Sequence, residues 1–166
     1  GYNSGIGGGC LILIRSADGR LTAIDGREMA PAAATQDMFV REGKPIPEAS
    51  QAGPLASGVP GALAAYEMAL EKCGTKPLAR LLEPGMRAAA EGFVVNKDYA
   101  RNLRETAETF GRFAGSRAVF LRPDGKPWGE GERLKQPDLA TTYRQVAEHG
   151  CDWFYRGPFA RMVGDW

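Results

Sequence analysis

An α+β chain is predicted, with an N-terminal β-hairpin followed by a helix-rich segment, and three observations predict it. Two short apolar runs flank an Asp-Gly turn near the start, and a proline soon follows the second run. From residue 58 onward, apolar residues instead recur every three or four positions.

The expected strands are Leu11-Ile12-Leu13-Ile14-Arg15 and Arg20-Leu21-Thr22-Ala23-Ile24, joined at Ala17-Asp18-Gly19, where Asp-Gly supplies the positive φ of a tight turn. Before the first strand comes Ser4-Gly5-Ile6-Gly7-Gly8-Gly9, and at the end of the second Ile24-Asp25-Gly26-Arg27-Glu28-Met29-Ala30-Pro31. Pro31 has no amide to donate and stops the pairing. A guanidinium fixed at a strand end, close to backbone that only glycine can form, is a plausible carboxylate receptor. Arg27 could equally do no more than pair with Asp25 or Glu28.

Downstream, residues 31–39 are alanine-rich with a short helical turn at 35–39, and 41–57, with three prolines, read as a surface loop. Gly58-Val59-Pro60-Gly61 opens a helix closed by Gly74, with Pro60 in the first turn and Leu63, Tyr66 and Leu70 on one stripe. Helical pieces follow at 77–82 and from Pro84 to Gly92. Phe93-Val94-Val95 leads to Asn96, an N-cap for a helix through Arg112. Its apolar stripe is Tyr99, Leu103, Ala107 and Phe110, and its charged face is Lys97, Arg101, Arg104, Glu105 and Glu108. Residues 118–121 read as a strand, 123–127 as a turn and 128–134 as a loose extended segment. Asp138 is expected to cap a helix ending at His149, and Asp152 the last helix.

The 166 residues carry a net charge of +1, which gives no basic excess for nucleic acid or an anionic membrane surface. No apolar run approaches the ~20 residues needed to cross a bilayer. Cys10, Cys73 and Cys151 are far apart, without a Cys-x-x-Cys pair, and His149 is the only histidine, so a zinc site of usual spacing is not expected. The cysteines read as buried or half-buried free thiols, and His149 as a helix C-terminal group. Gly7, Gly8 and Gly9 could cradle an anion, but without a following Lys-Ser/Thr or a helix they match neither a P-loop nor a dinucleotide fingerprint. Their bland reading is exclusion of side chains.

The series Ser4-Gly5-Ile6-Gly7-Gly8-Gly9, the hairpin, then Ile24-Asp25 and Arg27-Glu28-Met29-Ala30-Pro31-Ala32 resembles the large subunit of the gamma-glutamyltranspeptidase family. The likeness continues through Ala56-Ser57-Gly58-Val59-Pro60-Gly61, Tyr66, Gly74, Pro77-Leu78, Glu83-Pro84, Ala90-Glu91-Gly92-Phe93, Asp152, Phe154-Tyr155 and Gly157. Gly26 departs from it, since the family usually has a larger, often aromatic residue there, and so does Cys10.

The resemblance implies part of an N-terminal nucleophile (Ntn) hydrolase, an αββα sandwich whose sheets are shared between a large and a small subunit. It implies that residues 1–166 form a single incomplete domain, with 1–40 the glycine-rich hairpin and donor-carboxylate segment and 58–166 mainly helical. Arg27 would bind the α-carboxylate of a γ-glutamyl donor such as glutathione, with Glu28, Gly7, Gly8 and Gly9 in support. The nucleophile, a threonine freed at the N-terminus of the small subunit when the precursor cleaves itself, is expected beyond residue 166. The acceptor would be water, an amino acid or a peptide, no metal or organic cofactor is implied, and the compartment would be periplasmic or extracellular. Two alternatives remain: a cephalosporin or glutaryl acylase of the same superfamily, and a non-catalytic helical module binding a partner through Tyr99, Leu103 and Phe110.

Overall fold

The computed structural model describes residues 5–165, so Ser4 of the glycine-rich motif lies outside them. These residues divide between Thr75 and Lys76 into two compact units.

In the first unit, β1 (Cys10–Arg15) and β2 (Leu21–Gly26) form the expected antiparallel hairpin, in register from Cys10 opposite Gly26 to Arg15 opposite Leu21. Gly19 takes a φ of 87°, and Asp18 accepts the Arg20 backbone N–H at 3.1 Å, so the turn follows from its sequence. Strand alternation turns Ile12, Ile14 and Ile24 to one face, and the hairpin packs on the helix that follows. Leu11 and Leu13 (both 72% exposed) and Leu21 (65%) lie on the other, bare face. An apolar face left open this way fits a hairpin that belongs to a larger sheet structure.

The expected surface loop is more ordered than its composition suggests. A small hairpin, β3 (Val40–Arg41) with β4 (Lys44–Pro45), and two 3₁₀ turns at Pro47–Ser50 and Pro54–Ala56 occupy it, without a fully buried residue. Helix α1 (Ala62–Cys73) begins later than expected, and Pro60 lies ahead of it. The reason is pairing: Val59 and Met29 exchange backbone hydrogen bonds of 2.8 and 3.1 Å, which holds Val59 extended. The buried Leu63 and Ala65 seat α1 beneath the hairpin. Gly26, the departure noted above, faces α1 so closely that an added Cβ would lie 2.5 Å from the Cβ of Ala65. Gly26→Ala should therefore destabilise the protein by about 1–3 kcal/mol, measured by denaturant unfolding, because neither backbone can retreat freely.

The second unit opens with α2 (Leu78–Glu91), one helix running through Pro84 where two pieces were expected. Proline removes a hydrogen bond, but α2 packs along a later helix over its length, and burial of that stripe outweighs the break. Next come β5 (Phe93–Val94) and α3 (Lys97–Gly111), capped as expected by Asn96, whose Oδ1 accepts the Tyr99 N–H at 2.8 Å. Residues expected as a strand at 118–121 belong instead to α4 (Ala114–Phe120), with only Leu121 extended. Tertiary packing decides this ambiguous apolar run: Phe120 stacks on Phe110 at 4.6 Å, and the Trp128 indole donates to the Val119 carbonyl at 3.3 Å.

The segment expected to be loose ends in β6 (Arg133–Leu134), which pairs antiparallel with β5. Val95, Ala100, Leu103 and Leu134 form a buried core lined by Phe93, Tyr99, Phe110, Phe120 and Trp128. The stripe proposed as a partner-binding face is thus used inside the unit.

Helix α5 (Pro137–His149), the one packed on α2, has Pro137 in its first turn and Gln136 at its cap, so Asp138 sits within the helix rather than capping it. The expected last helix is two, α6 (Cys151–Tyr155) and α7 (Pro158–Gly164), broken around Gly157. Asp152 is inside α6 and pairs with Arg156 rather than serving as its cap. Phe154 and Phe159 stack at 4.3 Å across that break. Cys151 is buried and Cys10 half-buried, whereas Cys73 is exposed at the end of α1, against expectation.

Glu132 ties the 122–132 loop together by accepting the Gly129 N–H and, at 2.8 Å, a hydrogen bond from Arg122 Nη1. These contacts, the Gly129 amide first, hold its carboxyl below the usual carboxylate range. A depressed folded pKa contributes stability that is full above the unfolded value and lost as pH falls through the folded one. Glu132→Gln should flatten that acid-side loss, seen as a smaller difference in thermal midpoint between neutral and mildly acidic buffer.

Candidate functional site

Arg27 follows directly on the last residue of β2. Its backbone N–H donates to Asp25 Oδ1 at 2.9 Å, an Asx-type contact that turns the chain as the strand ends. Asp25 thus engages the arginine through its main chain. The side chain stands 68% exposed, with Nη1 3.5 Å from Glu28 Oε2. At that distance and exposure the pair restrains the side chain but leaves most of its five donors available.

Glu28 is more enclosed than its neighbour, with its side chain 34% exposed. Its carboxyl lies below the ordinary range, chiefly because its own backbone N–H donates to it, with the Arg27 charge and the Gly9 N–H adding to the effect against some desolvation. It is therefore an anion at neutral pH. In the glycine run the Gly8 N–H donates to the Gly5 carbonyl at 3.4 Å, and the Glu28 carboxylate lies where side chains at Gly8 and Gly9 would otherwise be. The Gly8 carbonyl, meanwhile, accepts the backbone N–H groups of Gly61 (3.1 Å) and Ala62 (3.0 Å), which satisfies donors at the start of α1.

Together these segments bound an open pocket of about 430 Å³ lined by Gly7, Arg27, Glu28, Met29, Ala30, Ala56, Ser57 and Gly58. Gly7, Arg27 and Glu28 were legible as candidates. Ala56, Ser57 and Gly58 were visible only as part of a motif, and their place here comes from the Met29–Val59 pairing, which returns the chain to the strand end. A proline-glycine cluster soon after a long polar loop was the available signal. Gly8 and Gly9 stand behind the pocket against Glu28. His149, exposed at the end of α5 with Glu148 3.8 Å away, belongs to the other unit and to none of this.

An exposed planar cation backed by a fixed carboxylate, in a pocket with little apolar lining, suits recognition of a small carboxylate by two parallel charge-assisted hydrogen bonds.

Comparison with known proteins gives a consistent result. The family model described as gamma-glutamyltranspeptidase matches residues 1–165. The glutathione hydrolase proenzyme of Escherichia coli is 42% identical over 160 residues, an alignment covering 95% of this chain. The chain spans only 27% of that relative's length. The crystal structure of Helicobacter pylori gamma-glutamyltranspeptidase superposes with a TM-score of 0.94 at 36% identity, over 99% of this chain and 47% of that one. A cephalosporin acylase from Bacillus halodurans also superposes, with a TM-score of 0.78 at 26% identity, over 96% of this chain and 30% of the other.

Proposed function

This chain belongs to the gamma-glutamyltranspeptidase family, and on that premise we propose that it supplies the donor-carboxylate side of an acyl-transfer site. Its fold is α+β, that of a segment of an Ntn hydrolase. In the complete protein, Arg27 holds the α-carboxylate of glutathione or a related γ-glutamyl compound, with Glu28 and the run Gly7, Gly8 and Gly9 in support. A threonine beyond residue 166, at the N-terminus of a small subunit from the same precursor, attacks the γ-carbonyl. The C–N bond breaks, the amine leaves with a proton, and the resulting ester passes its acyl group to water or to the amine of an amino acid or peptide.

The contribution of this chain is positioning. A carboxylate clamped at one end of the donor presents the γ-carbonyl at a set distance, which turns encounter into a near-unimolecular attack. The observation that carries the reading is the exposed Arg27 guanidinium opening on a pocket at the strand end.

A second reading, glutaryl or cephalosporin acylase, has the superposition with the Bacillus halodurans enzyme in its favour. Assay of the complete protein with γ-glutamyl-p-nitroanilide and glutaryl-p-nitroanilide separates the two. Preference for the first is expected. Equal turnover of both, or of the glutaryl compound alone, overturns the proposal, as does intact-mass evidence that the mature protein is not divided at a threonine.

A further inference from the structure

Binding of a carboxylate at Arg27 does not account for the glycine at position 9. Its backbone is not in the left-handed region, so conformational freedom is not what the position needs. Space is: an added Cβ would lie 2.7 Å from Glu28 Oε2, 2.7 Å from the Gly26 carbonyl oxygen and 2.9 Å from Glu28 Cδ. The backbone N–H of the same residue also helps to hold the Glu28 carboxyl below its usual range. On the other side Gly58 closes in, where a Cβ would meet Glu28 Cβ at 3.0 Å and the Met29 carbonyl oxygen at 3.2 Å. Gly8 is less confined, since a Cβ there would make ordinary contact, 3.5 Å from Glu28 Oε1. The Glu28 side chain, 34% exposed, therefore has backbone close on two sides, and one of its oxygens faces Arg27 Nη1.

We propose that Gly9 is a positioning residue of the donor site: its bare Cα leaves the space in which the Glu28 carboxylate is seated, and the seated carboxylate aims the Arg27 guanidinium. Gly58 forms the opposite wall of the seat. The arrangement works because a long, exposed arginine has many rotamers and a neighbouring carboxylate restricts them only if it is itself immobile. Gly9 touches no substrate; it acts through Glu28, and Glu28 through Arg27. This rests on the reading of Arg27 as the carboxylate receptor.

The test is a double-mutant cycle in the complete protein with γ-glutamyl-p-nitroanilide as donor. Gly9→Ala and Glu28→Gln should each raise the donor KM about two- to fivefold and leave kcat within about twofold. The double variant should be no worse than the more impaired single one, because both changes remove the same seat. Glu28→Asp, a methylene too short to reach Gly9, should behave like Glu28→Gln. Additive KM increments, or losses confined to kcat, overturn the proposal. If Gly9→Ala does not accumulate as folded protein, Glu28→Gln decides: a raised KM supports the seat and an unchanged one overturns it. Arg27→Lys separates the two levels of argument. If it raises KM while the other variants do not, only the seat falls. If it too leaves KM unchanged, the donor-site reading falls with it.

Discussion

Arg27→Lys in the complete protein is expected to raise the KM for a γ-glutamyl donor about 10- to 100-fold. A charge-assisted hydrogen bond contributes ~1.5–3 kcal/mol, and an ammonium keeps the charge but loses one arm of the fork. The thermal midpoint should hardly move, since the side chain is 68% exposed and its pairing with Glu28, at 3.5 Å, is a weak surface contact. Steady-state kinetics with a chromogenic γ-glutamyl anilide, alongside a melting curve, checks both halves. A fall in stability with unchanged KM would make Arg27 a structural residue and remove it from the site.

The largest effect on stability is expected from Leu63→Ala. Leu63 is fully buried on α1, the helix that underlies the hairpin. Deleting its isobutyl group should cost about 2–5 kcal/mol, from lost burial plus the cavity left behind, read as a lower denaturant midpoint. The site should suffer too, because the start of the same helix donates two N–H groups to the Gly8 carbonyl. A loss below about 1 kcal/mol would mean that the helix and hairpin collapse onto the vacancy more readily than a close-packed interior allows.

The parts of this fold legible in the sequence are those that neighbours along the chain decide. Asp18-Gly19 between two alternating apolar runs specifies the hairpin, and Asn96 specifies where α3 begins, because turn and cap chemistry act over two or three residues. Arg27 stood out through the family resemblance, since an arginine beside Asp25 and Glu28 reads by itself as a surface ion pair. The misassigned elements answer to distant partners. The run 118–121 is helical over most of its length because Phe110 and Trp128 lie where they do, and α2 passes through Pro84 because α5 lies along it. Likewise the role of Gly9 cannot be seen without Glu28 folded over it, and Ser57 reaches the pocket only through a pairing thirty residues from its partner.

That pairing of Met29 with Val59 divides one short stretch of chain into two parts with different tolerance for change. The residues it clamps, Arg27 to Met29 on one side and Gly58 to Gly61 on the other, meet at contact distances that tolerate no insertion. The segment between them is an exposed excursion whose ends are already joined, so lengthening it adds only the slowly growing entropy of a larger loop, ~0.6 kcal/mol for a doubling. The excursion can therefore change length over residues 31–55 while the clamp and the pocket residues Ala56 and Ser57 stay in place, which makes the small hairpin at 40–45 the natural graft point for tags, labels or new binding segments.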